Sequence, residues 1–258
     1  LTELNTPLGI TAIEDGVFYN CTEITSIVIP DTVTELGANA FYGCTALTQI
    51  TLPSNLNMIS FSVFYGCATL KSIDIPSTVV SIMESAFYGC TSLKTISFGS
   101  ALKTIGDSAF YNCAALMEIT LPNGLETVGD RVFSGTGITK LELPDSVTEV
   151  SLGDMSSTLT YIKWSAGIPV ISNAAFQEFS ALKTVILPEG VTEIADGSVE
   201  ISVGILESTA YKFAPFYKCY SLESIILPDS LKRIGKMAFE DCTKLSDVQF
   251  GKGLEEIG

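Results

Sequence analysis

The sequence predicts a solenoid in which turns of 23 residues stack on one another and share a parallel β-sheet. Three observations carry this prediction: a phenylalanine recurs at this period over most of the chain, a cysteine follows it by three residues, and a proline closes a later aliphatic segment. A fixed period of roughly 20–50 residues is typical of repeat architectures. The recurring pairs are Phe18 and Cys21, Phe41 and Cys44, Phe64 and Cys67, Phe87 and Cys90, Phe110 and Cys113, Phe216 and Cys219, and Phe239 and Cys242.

Each repeat contains one short segment that predicts a strand. In Leu47-x-x-Ile50-x-Leu52 the alternation of a strand points two aliphatic residues inward, and this spacing is that of a leucine-rich repeat. Pro53 follows directly and ends the strand, because proline has no N–H to donate to a ladder. One repeat cannot close a core, so stacking must bury the Leu, Ile and Phe columns together.

The position two residues after each phenylalanine predicts a left-handed backbone. Gly and Asn interchange there at Asn20, Gly43, Gly66, Gly89, Asn112 and Gly135. These two residue types are the ones that adopt a positive φ most readily. Lys218 and Asp241 occupy the same column and break the pattern.

Composition excludes several classes of protein. Apolar residues make up 47% of the 258 residues and charged residues 17%, which is typical of a well-packed chain and not of a disordered one. The net charge of −15 repels phosphate backbones and anionic lipids, so we expect no nucleic acid partner. No apolar run reaches the roughly 20 residues of a membrane span, so we expect no direct membrane insertion.

We expect one array over residues 1–258, of about ten repeats plus a partial N-terminal repeat. Leu1 and Pro7 are already in register with the columns, and Glu256-Ile257-Gly258 starts another repeat. This predicts a fragment of a longer array, or an array that continues into other domains.

A degraded repeat is expected near residues 150–171. Met155 occupies the phenylalanine slot there, and the strand segment Leu159-x-x-Ile162-x-Trp164 places the single tryptophan in an inward column. Trp164 then fills core volume, and the alternative is an exposed tryptophan that stacks on sugars.

About 17 residues near 197–213 are inserted between Ile194 and Phe216. Apolar and polar residues alternate on both sides of Glu207-Ser208, which predicts a β-hairpin or an extended flap. The insertion ends in an aromatic and basic cluster that includes Tyr211 and Lys212, and we take these two as candidate binding residues. The alternative is a hairpin that only caps a local gap.

The cysteines are expected to be buried free thiols that act as small hydrophobic residues. Side chains in register point the same way, so neighbouring cysteines are poorly placed for disulfides or for a zinc site. Thr136 replaces the cysteine in one repeat, which fits a packing role.

Catalytic chemistry has few candidates. The chain has no histidine, which removes histidine-based triads, imidazole bases and histidine-containing zinc sites. Acidic residues such as Asp31, Asp145, Glu189 and Asp229 fall in turn columns, where we expect them to be solvated. We therefore predict no catalytic residues, no metal and no cofactor.

Binding residues are expected where side chains flank the inward aliphatic residues of the strands and face the open, concave side. Hydroxyl side chains dominate the first half of the chain, whereas charged and aromatic residues dominate from 118 to 163. The candidates are Asp74, Glu118, Thr120, Lys140, Glu142, Tyr161 and Lys163. The alternative is that these residues only keep the sheet soluble.

A row of tyrosines directly after the phenylalanines forms a second candidate surface on the convex side. These are Tyr19, Tyr42, Tyr65, Tyr88, Tyr111 and Tyr217. Either each ring lies on its neighbour and seals the edge of the core, or the row contacts a partner.

The columns resemble the BspA-like leucine-rich repeats of bacterial surface proteins, in units such as AFYGCTALTQITLP and AFYNCAALMEITLP. The resemblance covers essentially the whole chain except the Met155 repeat and the insertion. It implies a right-handed leucine-rich-repeat superhelix with a parallel concave sheet and short helical or irregular turns on the convex side. It also implies an extracellular or cell-surface protein with adhesion or ligand binding as its function, and it carries over no catalytic residues.

Three functions remain open at this point. The first is a non-catalytic adhesion module that contacts a host or microbial surface protein or glycan through the concave sheet. The second is a structural spacer within a larger surface protein. The third is a glycan-active enzyme that uses paired carboxylates.

Overall fold

The structure is a computed structural model that describes residues 3–5, 9–155, 157–173, 175–203 and 208–258. Within these ranges it contains 23 strands and no helix. The strands build a parallel β-solenoid, so the predicted fold class is confirmed, and the convex turns are of the irregular kind. The chain divides into two compact units. Unit 1 comprises Leu1–Thr139 with Glu149–Met155, and unit 2 comprises Lys140–Thr148 with Ser156–Gly258.

Unit 1 has two series of short parallel strands. The three-residue strands are β1 (Glu3–Asn5), β3 (Ser26–Val28), β5 (Gln49–Thr51), β7 (Ser72–Asp74) and β9 (Thr95–Ser97). The two-residue strands are β2 (Ala12–Ile13), β4 (Glu35–Leu36), β6 (Met58–Ile59), β8 (Ser81–Ile82), β10 (Thr104–Ile105), β11 (Thr127–Val128) and β13 (Glu149–Val150). Most paired residues are one repeat apart, as in Ser26 opposite Gln49.

Unit 2 repeats this arrangement with a hairpin added. Its three-residue strands form one sheet in the order β12 (Lys140–Glu142), β14 (Tyr161–Lys163), β16 (Thr184–Ile186), β20 (Ser224–Ile226) and β22 (Asp247–Gln249). Its two-residue strands are β15 (Val170–Ile171), β17 (Glu193–Ile194), β21 (Arg233–Ile234) and β23 (Glu256–Ile257). The hairpin consists of β18 (Ser198–Val203) and β19 (Ser208–Phe213), which pair antiparallel as the alternation of the insertion predicts.

The core of each unit follows the predicted columns. In unit 1 the rings of successive phenylalanines from Phe18 to Phe133 stack with centroids 5.2–6.1 Å apart. Phe64 has no exposed surface, and burial of such a ring contributes about 2 kcal/mol. Six prolines of the column also start a turn, since their carbonyls accept the N–H of the residue three positions later, as Pro30 does from Val33 at 2.9 Å.

The cysteines are all free, and five of the seven are buried. Their thiols do more than fill space, because each one from Cys44 onward donates to the carbonyl of the phenylalanine one repeat earlier. Cys67 Sγ, for example, lies 3.2 Å from Phe41 O, and Cys90 Sγ lies 3.2 Å from Phe64 O. The prediction of free thiols is confirmed, and the column gains a hydrogen-bonding role that the sequence did not reveal.

The backbone is left-handed in two columns of the turns. The predicted column keeps a positive φ even where its residue type is unfavourable, at Lys218 with 59° and Asp241 with 62°. A second column lies two residues before most of the recurring phenylalanines and includes Ser62 at 49° and Ser85 at 57°. The sequence pattern did not indicate this second column.

Trp164 lies in the core of unit 2, as an inward column requires. Its side chain is 3% exposed, and its ring meets the Phe176 ring edge-on at a centroid distance of 5.0 Å. The indole Nε1 donates to the carbonyl of Ile168 at 3.3 Å. The alternative of an exposed tryptophan that stacks on sugars is therefore wrong.

Candidate functional site

The outer face of the five-stranded sheet in unit 2 holds the largest group of predicted binding residues, and we call it the unit 2 face. The strand register aligns its outward side chains in two rows. One row runs Lys140, Tyr161, Thr184, Ser224, Asp247, and the other runs Glu142, Lys163, Ile186, Ile226, Gln249. The residues between the rows, such as Leu141 and Ile162, point inward and are fully buried. Four of the predicted residues therefore lie on two adjacent strands.

Lys140 contacts two of the other predicted residues, Glu142 and Tyr161. Its Nζ lies 2.7 Å from Glu142 Oε1 and 5.0 Å from the centroid of the Tyr161 ring. The hydrogen bond from Lys140 lowers the pKa of Glu142, and the same bond raises the pKa of Lys140, so both groups are charged at neutral pH. Because both side chains are exposed, the pair contributes little to stability. Its effect is to orient a cation over an aromatic ring.

A second ion pair lies beside the first. Lys163 Nζ is 3.5 Å from Asp145 Oδ1, in the turn that follows β12. Asp145 is an exposed turn residue, as predicted, but the sequence did not indicate that it would pair with a candidate on the neighbouring strand. The outward residues of β12 and β14, together with Asp145, thus present two cations, two carboxylates and one phenol ring.

The next two strands of the unit 2 face are apolar on one row. Ile186 and Ile226 are register partners on β16 and β20. Ile226 is 48% exposed and Ile186 is half-buried. Their adjacency creates a small hydrophobic patch next to Lys163. The strand alternation in the sequence already places both isoleucines at outward positions in two consecutive repeats.

Three predicted residues lie in unit 1. Asp74 is exposed on β7 and accepts the hydroxyl of Ser97 at 2.5 Å. Glu118 and Thr120 are also exposed, but the strand predicted around them is not formed. Ile119 is half-buried between the exposed Glu118 and Thr120, so the side chains alternate as predicted. A strand also requires backbone hydrogen bonds to a neighbouring turn, and alternation in the sequence does not ensure these. The prediction of a strand here was wrong.

The remaining predicted residues lie on the hairpin. Tyr211 belongs to β19, and its side chain lies outside the residues whose placement the structure describes. Lys212 is exposed and forms an ion pair with Glu240. The amide of Gln177 donates to the Lys212 carbonyl at 3.3 Å, which ties this end of the hairpin to a solenoid turn. Lys212 is therefore engaged within unit 2.

Within the described ranges, no three His, Cys, Asp or Glu side chains come together as a set of metal ligands. The same part of the chain has no helical segment with the length and hydropathy that a membrane crossing requires.

The family model of the BspA type leucine rich repeat region, with six copies, matches residues 11–118, 34–152, 103–215 and 209–258. The fold is similar to that of a leucine rich cell surface protein from Faecalibacterium prausnitzii A2-165, with 24% identity over 96% of this chain and 86% of that one and a TM-score of 0.51. A leucine-rich repeat protein from Bacteroides ovatus ATCC 8483 has 24% identity, coverage of 100% and 85%, and a TM-score of 0.50. One from Eubacterium ventriosum ATCC 27560 has 20% identity, coverage of 100% and 81%, and a TM-score of 0.50. No curated protein matches the chain. Because the family model matches nearly the whole sequence, the chain belongs to the BspA-type leucine-rich repeat family.

Proposed function

We propose that this chain is a non-catalytic binding module of a bacterial surface or secreted protein, and that the unit 2 face contacts a protein or glycan ligand. Membership of the BspA-type family supports a repeat-based binding module. A structural neighbour of the same fold that is a cell surface protein supports the location.

The observation that carries the proposal is the juxtaposition on the unit 2 face of an ionic cluster and an apolar patch. Binding surfaces concentrate their energy in a few anchors, with aromatic residues enriched, and surround these with polar groups that set orientation. Tyr161 and the isoleucine pair Ile186 and Ile226 are such anchors. Lys140 and Lys163 supply donors, and Glu142 and Asp145 supply acceptors.

The arrangement also suits a reversible ligand. Lys140 covers the Tyr161 ring from 5.0 Å, so a ligand with its own cation or sugar ring gains access when that flexible side chain swings aside. Because the Lys140–Glu142 pair is exposed and stabilises the fold little, moving it costs little.

The test is binding of the purified chain to panels of extracellular-matrix proteins and of glycans, followed by titration of any hit. We expect Tyr161→Ala and Ile226→Ser to weaken binding about tenfold or more, which corresponds to about 1.4 kcal/mol each. The matched control is Lys103→Ala in unit 1. Lys103 Nζ lies 2.8 Å from Glu126 Oε1, so this variant removes an exposed Lys–Glu ion pair outside the unit 2 face. We expect this variant to bind like the wild type.

Two outcomes oppose the proposal. Equal losses in Tyr161→Ala and Lys103→Ala would mean that the unit 2 face is not the contact. An absence of binding to both panels, with activity confined to flanking domains of the full-length protein, would favour a structural spacer.

A further inference from the structure

Five tyrosines of unit 1 form a continuous stack, which we call the tyrosine ladder. It consists of Tyr19, Tyr42, Tyr65, Tyr88 and Tyr111. Neighbouring ring centroids are 4.5–4.7 Å apart and the ring planes deviate by 3–9°. The prediction that each ring lies on its neighbour is confirmed for these five residues, and four steps make the ladder about 18 Å long.

Backbone hydrogen bonds hold the rungs at this spacing. The left-handed residue after each of the first four tyrosines donates its N–H to the tyrosine carbonyl of the next turn. Gly43 donates to Tyr65 O at 2.7 Å, and Gly66 donates to Tyr88 O at 2.7 Å. The rungs therefore repeat at close to the roughly 4.8 Å spacing of adjacent strands. The ladder is a preformed, rigid surface with little side-chain entropy left to lose.

The stacking decides which part of each phenol a partner can reach. The faces of the inner rings cover one another, so a sugar that needs a free ring face finds none at those rungs. The ring edges and hydroxyls remain accessible, with Tyr19 50% exposed and the other four half-buried. Ring edges carry a partial positive charge, and a phenol hydroxyl both donates and accepts hydrogen bonds. Burial and the interactions with Tyr88 and Tyr42 raise the pKa of Tyr65, so neighbouring hydroxyls already interact along the ladder. Since each hydroxyl can both donate and accept, the row is still complementary to a second row of the same kind.

The residues directly beside the ladder tyrosines are uncharged, although the chain is strongly acidic. No charged residue stands within three positions of any of the five tyrosines, although 17% of the chain is charged and the net charge is −15. The neighbours are Ser, Thr, Asn, Gly and small apolar residues. The nearest charged residues in sequence stand four positions away and are Asp15, Glu23, Glu84 and Asp107. The Arg131 guanidinium also interacts electrostatically with Tyr111 at one end of the ladder. Tyrosine with Ser, Asn and Gly is the composition of antibody paratopes, in which tyrosine gives contact area at low entropic cost.

We propose that the tyrosine ladder is a self-association surface that pairs with the ladder of a second copy of this chain. Two ladders share one period by construction, whereas an extended peptide with about 3.3 Å per residue does not match it. Repulsion between two chains of charge −15 favours contact along a strip whose own residues are uncharged. A two-fold, antiparallel arrangement places Tyr65 opposite its own copy and Tyr19 opposite Tyr111.

The expected contact is weak. A strip about 18 Å long is smaller than the roughly 800 Å² per partner of a standard interface. Association therefore becomes substantial where copies are concentrated, as on a crowded surface, through effective concentration. The proposal concerns unit 1 and does not depend on the ligand of the unit 2 face.

Disulfide trapping tests the pairing directly. Under mild oxidation Tyr65→Cys alone should form a covalent dimer, and a mixture of Tyr19→Cys with Tyr111→Cys should form a heterodimer. Tyr19→Cys alone and Tyr111→Cys alone should stay monomeric. The wild type, with its native thiols, is the control under the same conditions. Dimers of Tyr19→Cys with itself, or equal trapping in all variants, would overturn the antiparallel pairing.

Sedimentation of the unmodified chain provides a second measurement that does not depend on how a variant folds. We expect concentration-dependent dimerisation that strengthens between 0.05 and about 0.5 M salt, because screening reduces the repulsion between two acidic chains. Tyr65→Arg should weaken it about tenfold, and Tyr65→Phe should weaken it less. A strictly monomeric wild type at millimolar concentration would overturn the proposal.

Discussion

Substitution of Cys67 tests whether the thiol column stabilises the solenoid by packing alone or also by hydrogen bonding. Cys67 has no exposed surface, and its thiol donates to the Phe41 carbonyl at 3.2 Å. The same carbonyl accepts the backbone N–H of Cys44 at 3.2 Å. Cys67→Ala removes the sulfur and its bond, whereas Cys67→Ser keeps a donor in the same place.

The size of the effect follows from these contacts. Loss of a buried group of this size costs about 1 kcal/mol in transfer free energy, the cavity adds about 0.5 kcal/mol, and the lost weak hydrogen bond adds about 0.5 kcal/mol. We therefore expect Cys67→Ala to reduce the free energy of unfolding by about 2 kcal/mol. For a chain of this size the corresponding fall in Tm is roughly 4–8 °C.

The order of the two variants decides the question. Thr136 stands in the cysteine column, and its hydroxyl donates at 2.6 Å to the carbonyl of Phe133 in its own repeat, so the column accommodates a hydroxyl. Thermal and urea unfolding should place Cys67→Ser between the wild type and Cys67→Ala. The control Cys21→Ala, at a half-exposed position, should change stability by less than about 0.5 kcal/mol. If Cys67→Ser is less stable than Cys67→Ala, the thiol acts only as a small hydrophobic residue and our reasoning is refuted.

Three further predictions concern the thiols and the turns. Thiol titration should find the five buried cysteines slow to react in the native protein and all seven reactive after denaturation, and a lower denatured count would indicate disulfides. Burial raises the pKa of Cys44 from 9.0 to about 11 and the pKa of Cys113 to about 12. The free energy of unfolding that these two neutral thiols contribute is therefore fully present below pH 9 and is lost as pH rises towards 11–12. Midpoints of urea unfolding that stay constant from pH 8 to 11 would contradict this. Gly66→Ala, at φ 68°, should destabilise by about 1 kcal/mol, whereas Ser62→Gly, at φ 49°, should be neutral or stabilising; the reverse order in urea unfolding would refute the role of backbone strain.

Much of the fold is predictable because its determinants are local and periodic. Phe41 and Phe64 are identical residues one period apart, and a stack of turns brings them together with ring centroids 5.7 Å apart. The hairpin of the inserted segment is also predictable, because apolar and polar residues alternate along two runs that are each long enough for a hairpin strand. The inward column also predicts correctly that Trp164 is buried.

The features that escape prediction depend on contacts between turns. Ser62 has no sequence preference for a positive φ, but its N–H bonds to the Glu84 carbonyl of the next turn at 3.1 Å, which fixes its backbone. The pairing of Lys163 with Asp145 requires the register of β14 against β12, and the thiol donors require the position of a carbonyl one repeat away. Such partners are set by stacking, and no single repeat encodes them.

Part of the acidic charge of the chain has a structural role in the turns, so the net charge alone is a poor guide to the ligand. Turn carboxylates cap the next turn, since Asp15 accepts the N–H of Ala38 at 2.7 Å and Asp31 accepts that of Ser54 at 2.7 Å. This backbone bond lowers the pKa of Asp31, so the cap is intact above the ordinary value of 3.8 and is lost only as pH falls below it. A carboxylate is the natural cap because it accepts without donating. Part of the charge of −15 therefore arises from the construction of the turns, and ligand preference must be sought where charge departs from the repeat, at Lys140 and Lys163.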